Sequence, residues 1–128
     1  MSGAFLAHGY QANRLIALND PGVMVHAMGK ASAARVTLRS VEQLEQLAAS
    51  IPPMAYDIES YASLGLLWET LTVSQIEQPT AHDLQQVVAL VGRAIDDVHG
   101  TGTDLRSRLG ASNRQASAQV RQLLRAQW

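Results

Sequence analysis

The chain has 128 residues, 47% of them hydrophobic, with no cysteine and a formal net charge of −1. That length and apolar content suit one domain with a core of its own, and they argue against global disorder. The missing cysteines exclude a disulfide framework, a thiolate nucleophile and a cysteine-held zinc, and they fit a reducing, cytoplasmic setting.

Residues 1–39 support two readings. Arg14 to Leu18 runs into Asn19-Asp20-Pro21-Gly22, a strong turn signal, and Val23 to Met28 and Ala34 to Leu38 follow. Three short segments with two turns would make a small β-hairpin or meander before residue 40. The alternative is helical, with Ala4 to Leu18 as one helix and Val23 to Ala34 as a second, favoured by alanine content. No charged segment leads into an apolar run ahead of Arg14, so a secretory leader is not expected.

From Ser40 the pattern is helical. Ser40 with Gln43 fits a capping box, and Val41, Leu44, Leu47 and Ala48 form an apolar face. Pro52-Pro53 stops that helix and can open the next. Residues 53–77 are apolar almost all round and read as a central helix, with Tyr61, Leu64, Trp68 and Leu71 in the core. Gln78-Pro79 interrupts, and Thr80 with Asp83 caps a helix over 81–99, whose face runs through Leu84, Val87, Val88, Val91, Ala94, Ile95 and Val98. Val88, Val91 and Ile95 complete the expected core. Glycines at 100 and 102 end that helix, and a last helix runs to the C-terminus with a break near Gly110-Ala111-Ser112. The expected fold is mostly α: a single helical domain over 1–128, built as a compact bundle of four to five helices. Its first 39 residues are β-containing or arm-like.

Charge is laid out in blocks. Residues 1–39 hold four basic groups and one acid (+3), residues 40–104 ten acids and Arg93 (−9), and residues 105–128 five arginines (+5). Arg114, Arg121 and Arg125 fall on one side of the last helix, with Arg106 and Arg108 near its start. This stripe suits a solvated helix end, an acidic protein partner or, less well, phosphate. An aromatic content of 5% and the acidic middle block disfavour nucleic acid. Glu69 lies on the apolar side of the 53–77 pattern, where a carboxylate either finds a cation or serves as a general acid or base. Asp96 and His99 share a helix face but supply only two of the ligands a metal needs. No nucleophile elbow and no other catalytic constellation stands out, so no catalytic residue, metal or cofactor is assigned. No stretch of about 18 apolar residues would span a membrane.

These features point to a non-enzymatic bacterial or phage interaction or regulatory protein acting through an oligomeric helical surface. The excess apolar coverage of 53–77 suggests a homodimer. Alternatives are a nucleic-acid binder using the arginine stripe and a small enzyme using Glu69.

Overall fold

Two short segments far apart in sequence meet first: Ile16–Leu18 (β1) and Glu69–Leu71 (β2) pair as parallel strands. The computed structural model describes residues 3–111 and 114–128. The register sets Ile16 against Glu69, Ala17 against Thr70 and Leu18 against Leu71. Bonds from Trp68 N to Leu15 O (2.7 Å) and from Asn19 N to Leu71 O (2.8 Å) extend the ladder at both ends. Parallel strands cannot be joined by a tight turn, so the chain between them forms a helical crossover.

That crossover holds Lys30–Thr37 (α2), Val41–Ser50 (α3) and Ile58–Ser63 (α4), after a first helix, Gly3–His8 (α1). Two helices follow the second strand, Ala81–Thr101 (α5) and Gln115–Gln127 (α6), with a 3-10 turn between them at Arg106–Gly110. The protein is therefore mostly α with one small two-stranded element. Six α-helices are present among the described residues, two of them only six residues long.

The expected capping box at Ser40 forms, and the expected N-cap at Thr80 proves to be a capping box as well. The Ser40 side chain accepts from Gln43 N (3.2 Å) while the Gln43 side chain accepts from Ser40 N (3.0 Å). Thr80 Oγ1 accepts from Asp83 N (3.1 Å), and the Asp83 carboxylate accepts from Thr80 N (2.8 Å). These pairs satisfy amide groups that a helix start otherwise leaves without partners.

The expected helix over 53–77 does not form as one piece. A 3-10 turn at Pro52–Met54 is followed by Asp57, whose carboxylate accepts from Ser60 N (2.7 Å) and starts α4 afresh. Gly65 then adopts φ +71°, a left-handed conformation that ends the helix, and the chain extends into β2. The hairpin or meander expected before residue 40 is also replaced: β1 lies there, but its partner comes from residues 69–71 in parallel. Apolar coverage on all sides belongs here to a short helix followed by a strand, two elements that periodicity cannot separate over so short a run.

The core gathers around β1. Ala17, Val25, Ile58 and Tyr61 are buried together, with Phe5, Leu6, Tyr10, Val23, Leu64 and Leu67 packed against them. Tyr10 stacks on Tyr61 at 5.9 Å between ring centroids and meets Phe5 at 5.6 Å. Of the expected core residues Tyr61 is buried, while Leu64, Trp68 and Leu71 are half-buried. Val88, Val91 and Ile95 are instead 63%, 44% and 51% exposed. The helix α5 is rotated so that Asp83, Leu90 and Ala94 face inward. Its apolar stripe is wider than one contact needs, and the inner edge of that stripe packs.

Candidate functional site: an arginine-lined cavity beside the α5 C-terminus

The segment that enters β1 passes the end of α5, and arginines from both sides tie the two together. Arg14, half-buried, donates to the Asp97 carboxylate through Nε and to Thr101 Oγ1 through Nη2 (2.6 Å). Asn13 Nδ2 donates to the Thr103 carbonyl. Arg108, on the 3-10 turn after α5, reaches the other way and donates to the carbonyls of Tyr10, Ala12 and Asn13. These carbonyls lie in and just after a 3-10 turn at Gly9–Gln11, where the guanidinium fork supplies their donors.

Two neighbouring cavities flank Arg108. One, of about 350 Å³, lies among Arg14, Trp68, Asp97, Ser107 and Arg108. The other, of about 590 Å³, is lined by Tyr10, Leu66, Leu105 and Leu109 together with Arg106, Arg108, Arg114, Arg121 and Asp104. Asp104 is engaged locally, accepting from Arg106 N at 2.9 Å and lying 3.8 Å from Arg106 Nε. Among the described residues no carboxylate pairs with Arg108, Arg114 or Arg121. Arg114 Nε is buried with no hydrogen-bond partner among them. Burial, followed by the nearby charges of Arg14 and Arg114, pushes the Arg108 guanidinium down from its ordinary value.

Four of the five arginines picked out in the sequence thus share one cavity: Arg106, Arg108, Arg114 and Arg121. Arg125 is exposed and outside its lining. Arg106 and Arg108 belong to the separate 3-10 turn before α6, while Arg114 is the N-cap residue of α6 and Arg121 and Arg125 lie on it. Glu69 sits on β2, its side chain 39% exposed, and accepts from Arg93 Nη2 of α5 at 2.7 Å. It is thereby an ion-pair partner joining strand to helix, not an isolated buried acid. Sequence reading missed Arg14, Asp97 and Thr101, because nothing local in either segment signals a bond across 83 residues.

Away from this site, Asp83 is 3% exposed and accepts four hydrogen bonds, from the backbone and side chains of Ser74 and Thr80 at 2.7–3.0 Å. The Ser74 amide, then the hydroxyl and amide donors around it, hold its carboxyl well below the usual carboxylate range. Among the described residues no three His, Asp or Glu side chains converge as metal ligands would, and no helix is long and apolar enough to cross a membrane.

Comparison with known proteins supplies the context. The family model described as MdcE, malonate decarboxylase gamma subunit, matches residues 1–128. A chain of a Pseudomonas malonate decarboxylase hetero-tetramer in complex with coenzyme A is 70% identical, with a TM-score of 0.91, over 100% of this chain and 49% of that one. A chain of the Pseudomonas MdcD–MdcE hetero-dimer of the same enzyme is 64% identical, with a TM-score of 0.84, over 100% of this chain and 46% of that one. A malonyl-S-ACP:biotin-protein carboxyltransferase, MADD, of Malonomonas rubra is 36% identical over 66 residues, 51% of this chain and 23% of that protein. The chain spans about half the length of these solved chains and less than a quarter of the curated relative.

These matches correct three expectations. A non-enzymatic regulatory protein is overturned by the family match, which is to a subunit of a decarboxylase. The nucleic-acid alternative falls with it, and Glu69 is an ion-pair partner of Arg93. The homodimer is overturned by the solved chains, which come from hetero-oligomers. The exposed apolar stripe lies on α5, whereas residues 53–77 bury much of their apolar surface in a helix and a strand.

Proposed function

The chain belongs to the malonate decarboxylase gamma subunit family, and we propose that it is the gamma-type component of a hetero-oligomeric malonate decarboxylase. The observation that carries this reading is the match over all of residues 1–128, joined to 70% identity with a chain of the Pseudomonas hetero-tetramer. We further propose that the outer face of α5 docks on a non-identical subunit of the MdcD type. Leu84, Val88, Val91 and Ile95 recur at helical spacing on that face and are 62%, 63%, 44% and 51% exposed. A contiguous apolar stripe of this kind is what a protein–protein interface covers.

Residues 1–128 act in this reading as one domain, supported by the pairing of β1 with β2 and by the ties from Arg14 and Arg108 across the chain. A cytoplasmic setting goes with the cysteine-free composition. The test is co-expression of the full subunit carrying this chain with an MdcD-type partner, followed by light scattering on the purified product. One hetero-complex containing both chains is expected. Elution of the two as separate species would overturn the reading.

A further inference from the structure

We propose that the corner between α2 and α3, where Arg35 and Arg39 flank Val36 and Leu38, is a second docking surface. Its Leu38 side chain enters an apolar, carboxylate-rimmed pocket on a subunit other than the MdcD-type partner. The proposal rests on the hetero-oligomeric reading above. Leu38 is the one non-glycine residue with a positive φ among the described residues, at +55°. The corner needs that conformation: the amides of Leu38 and Arg39 both donate to Ala34 O, and Ser40 already caps the next helix. Glycine would meet the same need without the steric cost that a Cβ brings to left-handed backbone. Leucine is therefore unfavourable there, and nothing inside the chain offsets it, because its side chain is 93% exposed.

Val36, two residues earlier, is 70% exposed, and apart from Trp128 these two are the most exposed large hydrophobic side chains described. Strained backbone under an unburied apolar side chain marks a residue whose contacts lie outside the chain. Arg35 and Arg39 set the chemistry of what covers it. Both are exposed, and no carboxylate among the described residues pairs with either. Arg39 Nη1 donates to the Thr37 carbonyl at 3.4 Å, which leaves its charge uncompensated. Two such guanidiniums beside a leucine complement a pocket with apolar walls and an acidic rim. The corner shares no residue with the α5 stripe assigned to the MdcD-type partner. Among the solved relatives there is both an MdcD–MdcE hetero-dimer and a hetero-tetramer, so the larger assembly adds subunits that the dimer lacks. The corner is assigned to one of these added subunits.

The test uses the full subunit carrying this chain, purified with its MdcD-type partner and titrated with the remaining subunits of the complex by analytical ultracentrifugation. Leu38→Gly should leave the thermal midpoint of the subunit unchanged or raised, because glycine suits the left-handed corner. The same substitution should weaken the larger assembly about tenfold or more. Arg39→Glu should weaken it too, and the wild-type affinity should fall as salt is raised. Pairing with the MdcD-type partner should keep its wild-type strength in both variants. The proposal is overturned if Leu38→Gly lowers the midpoint, if the variants lose the MdcD-type partner instead, or if Leu38→Gly dissolves a homo-oligomer of the subunit. Failure of the wild-type subunit to join any hetero-complex overturns the hetero-oligomeric reading and this proposal with it. Wild-type assembly that neither variant disturbs overturns this proposal alone.

Discussion

Asp83 concentrates more hydrogen bonding than any other carboxylate described in this chain, and its role follows from its donors. Four bonds from Ser74 and Thr80 favour the ionised form, so the folded pKa lies below the unfolded value of about 3.9. A depressed folded pKa means that the stabilisation is present above the unfolded value and is lost as pH falls below it. The thermal unfolding midpoint of the wild type should therefore fall below about pH 4, and Asp83→Asn should flatten that dependence while lowering the midpoint at neutral pH. An acid limb unchanged by the substitution would contradict this role. Gly65 is a second such residue. Its φ of +71° is left-handed, and a Cβ there would overlap Ala111, so Gly65→Ala should cost about 2 kcal/mol in denaturant unfolding. Glu69 differs from both, since its exposed pairing with Arg93 predicts that Glu69→Gln changes stability by less than about 1 kcal/mol.

At the scale of elements, signals confined to a few neighbouring residues were legible in the sequence. Ser40 with Gln43 and Thr80 with Asp83 mark helix starts by chemistry that operates within one turn, and both formed as expected. Residues 53–77 were not legible, because the choice between strand and helix at Glu69–Leu71 depends on β1, some 50 residues earlier, offering an edge. The rotation of α5 was hidden for a related reason. Its apolar stripe is wide enough for two contacts, and periodicity does not say which edge turns inward. That second edge yields a prediction. Val88→Asp should leave the helix content and unfolding midpoint of the isolated subunit unchanged, because Val88 is 63% exposed. It should weaken co-purification with an MdcD-type partner, and retention of wild-type assembly would remove α5 from the interface.

Across the whole molecule, the separation of charge into blocks proved informative in part. The C-terminal arginines do not form a free stripe: Arg108 binds backbone at the entrance to β1, and Arg106, Arg114 and Arg121 rim the same cavity. The acidic block answers other cations, with Asp97 holding Arg14 and Glu69 holding Arg93. Which arginines meet was not readable from a helical wheel, since the wheel assumes one straight helix where a 3-10 turn at Arg106–Gly110 intervenes. Nor did composition indicate an enzyme, because a subunit of a larger assembly need not carry a recognisable catalytic constellation in any one stretch. The central claim, that this chain is a working part of a malonate decarboxylase, is tested most directly by measuring CO2 release from malonate by the purified hetero-complex with and without the subunit carrying it. The account predicts that release is lost when the subunit is omitted and returns when it is added back. Undiminished release in its absence would contradict it.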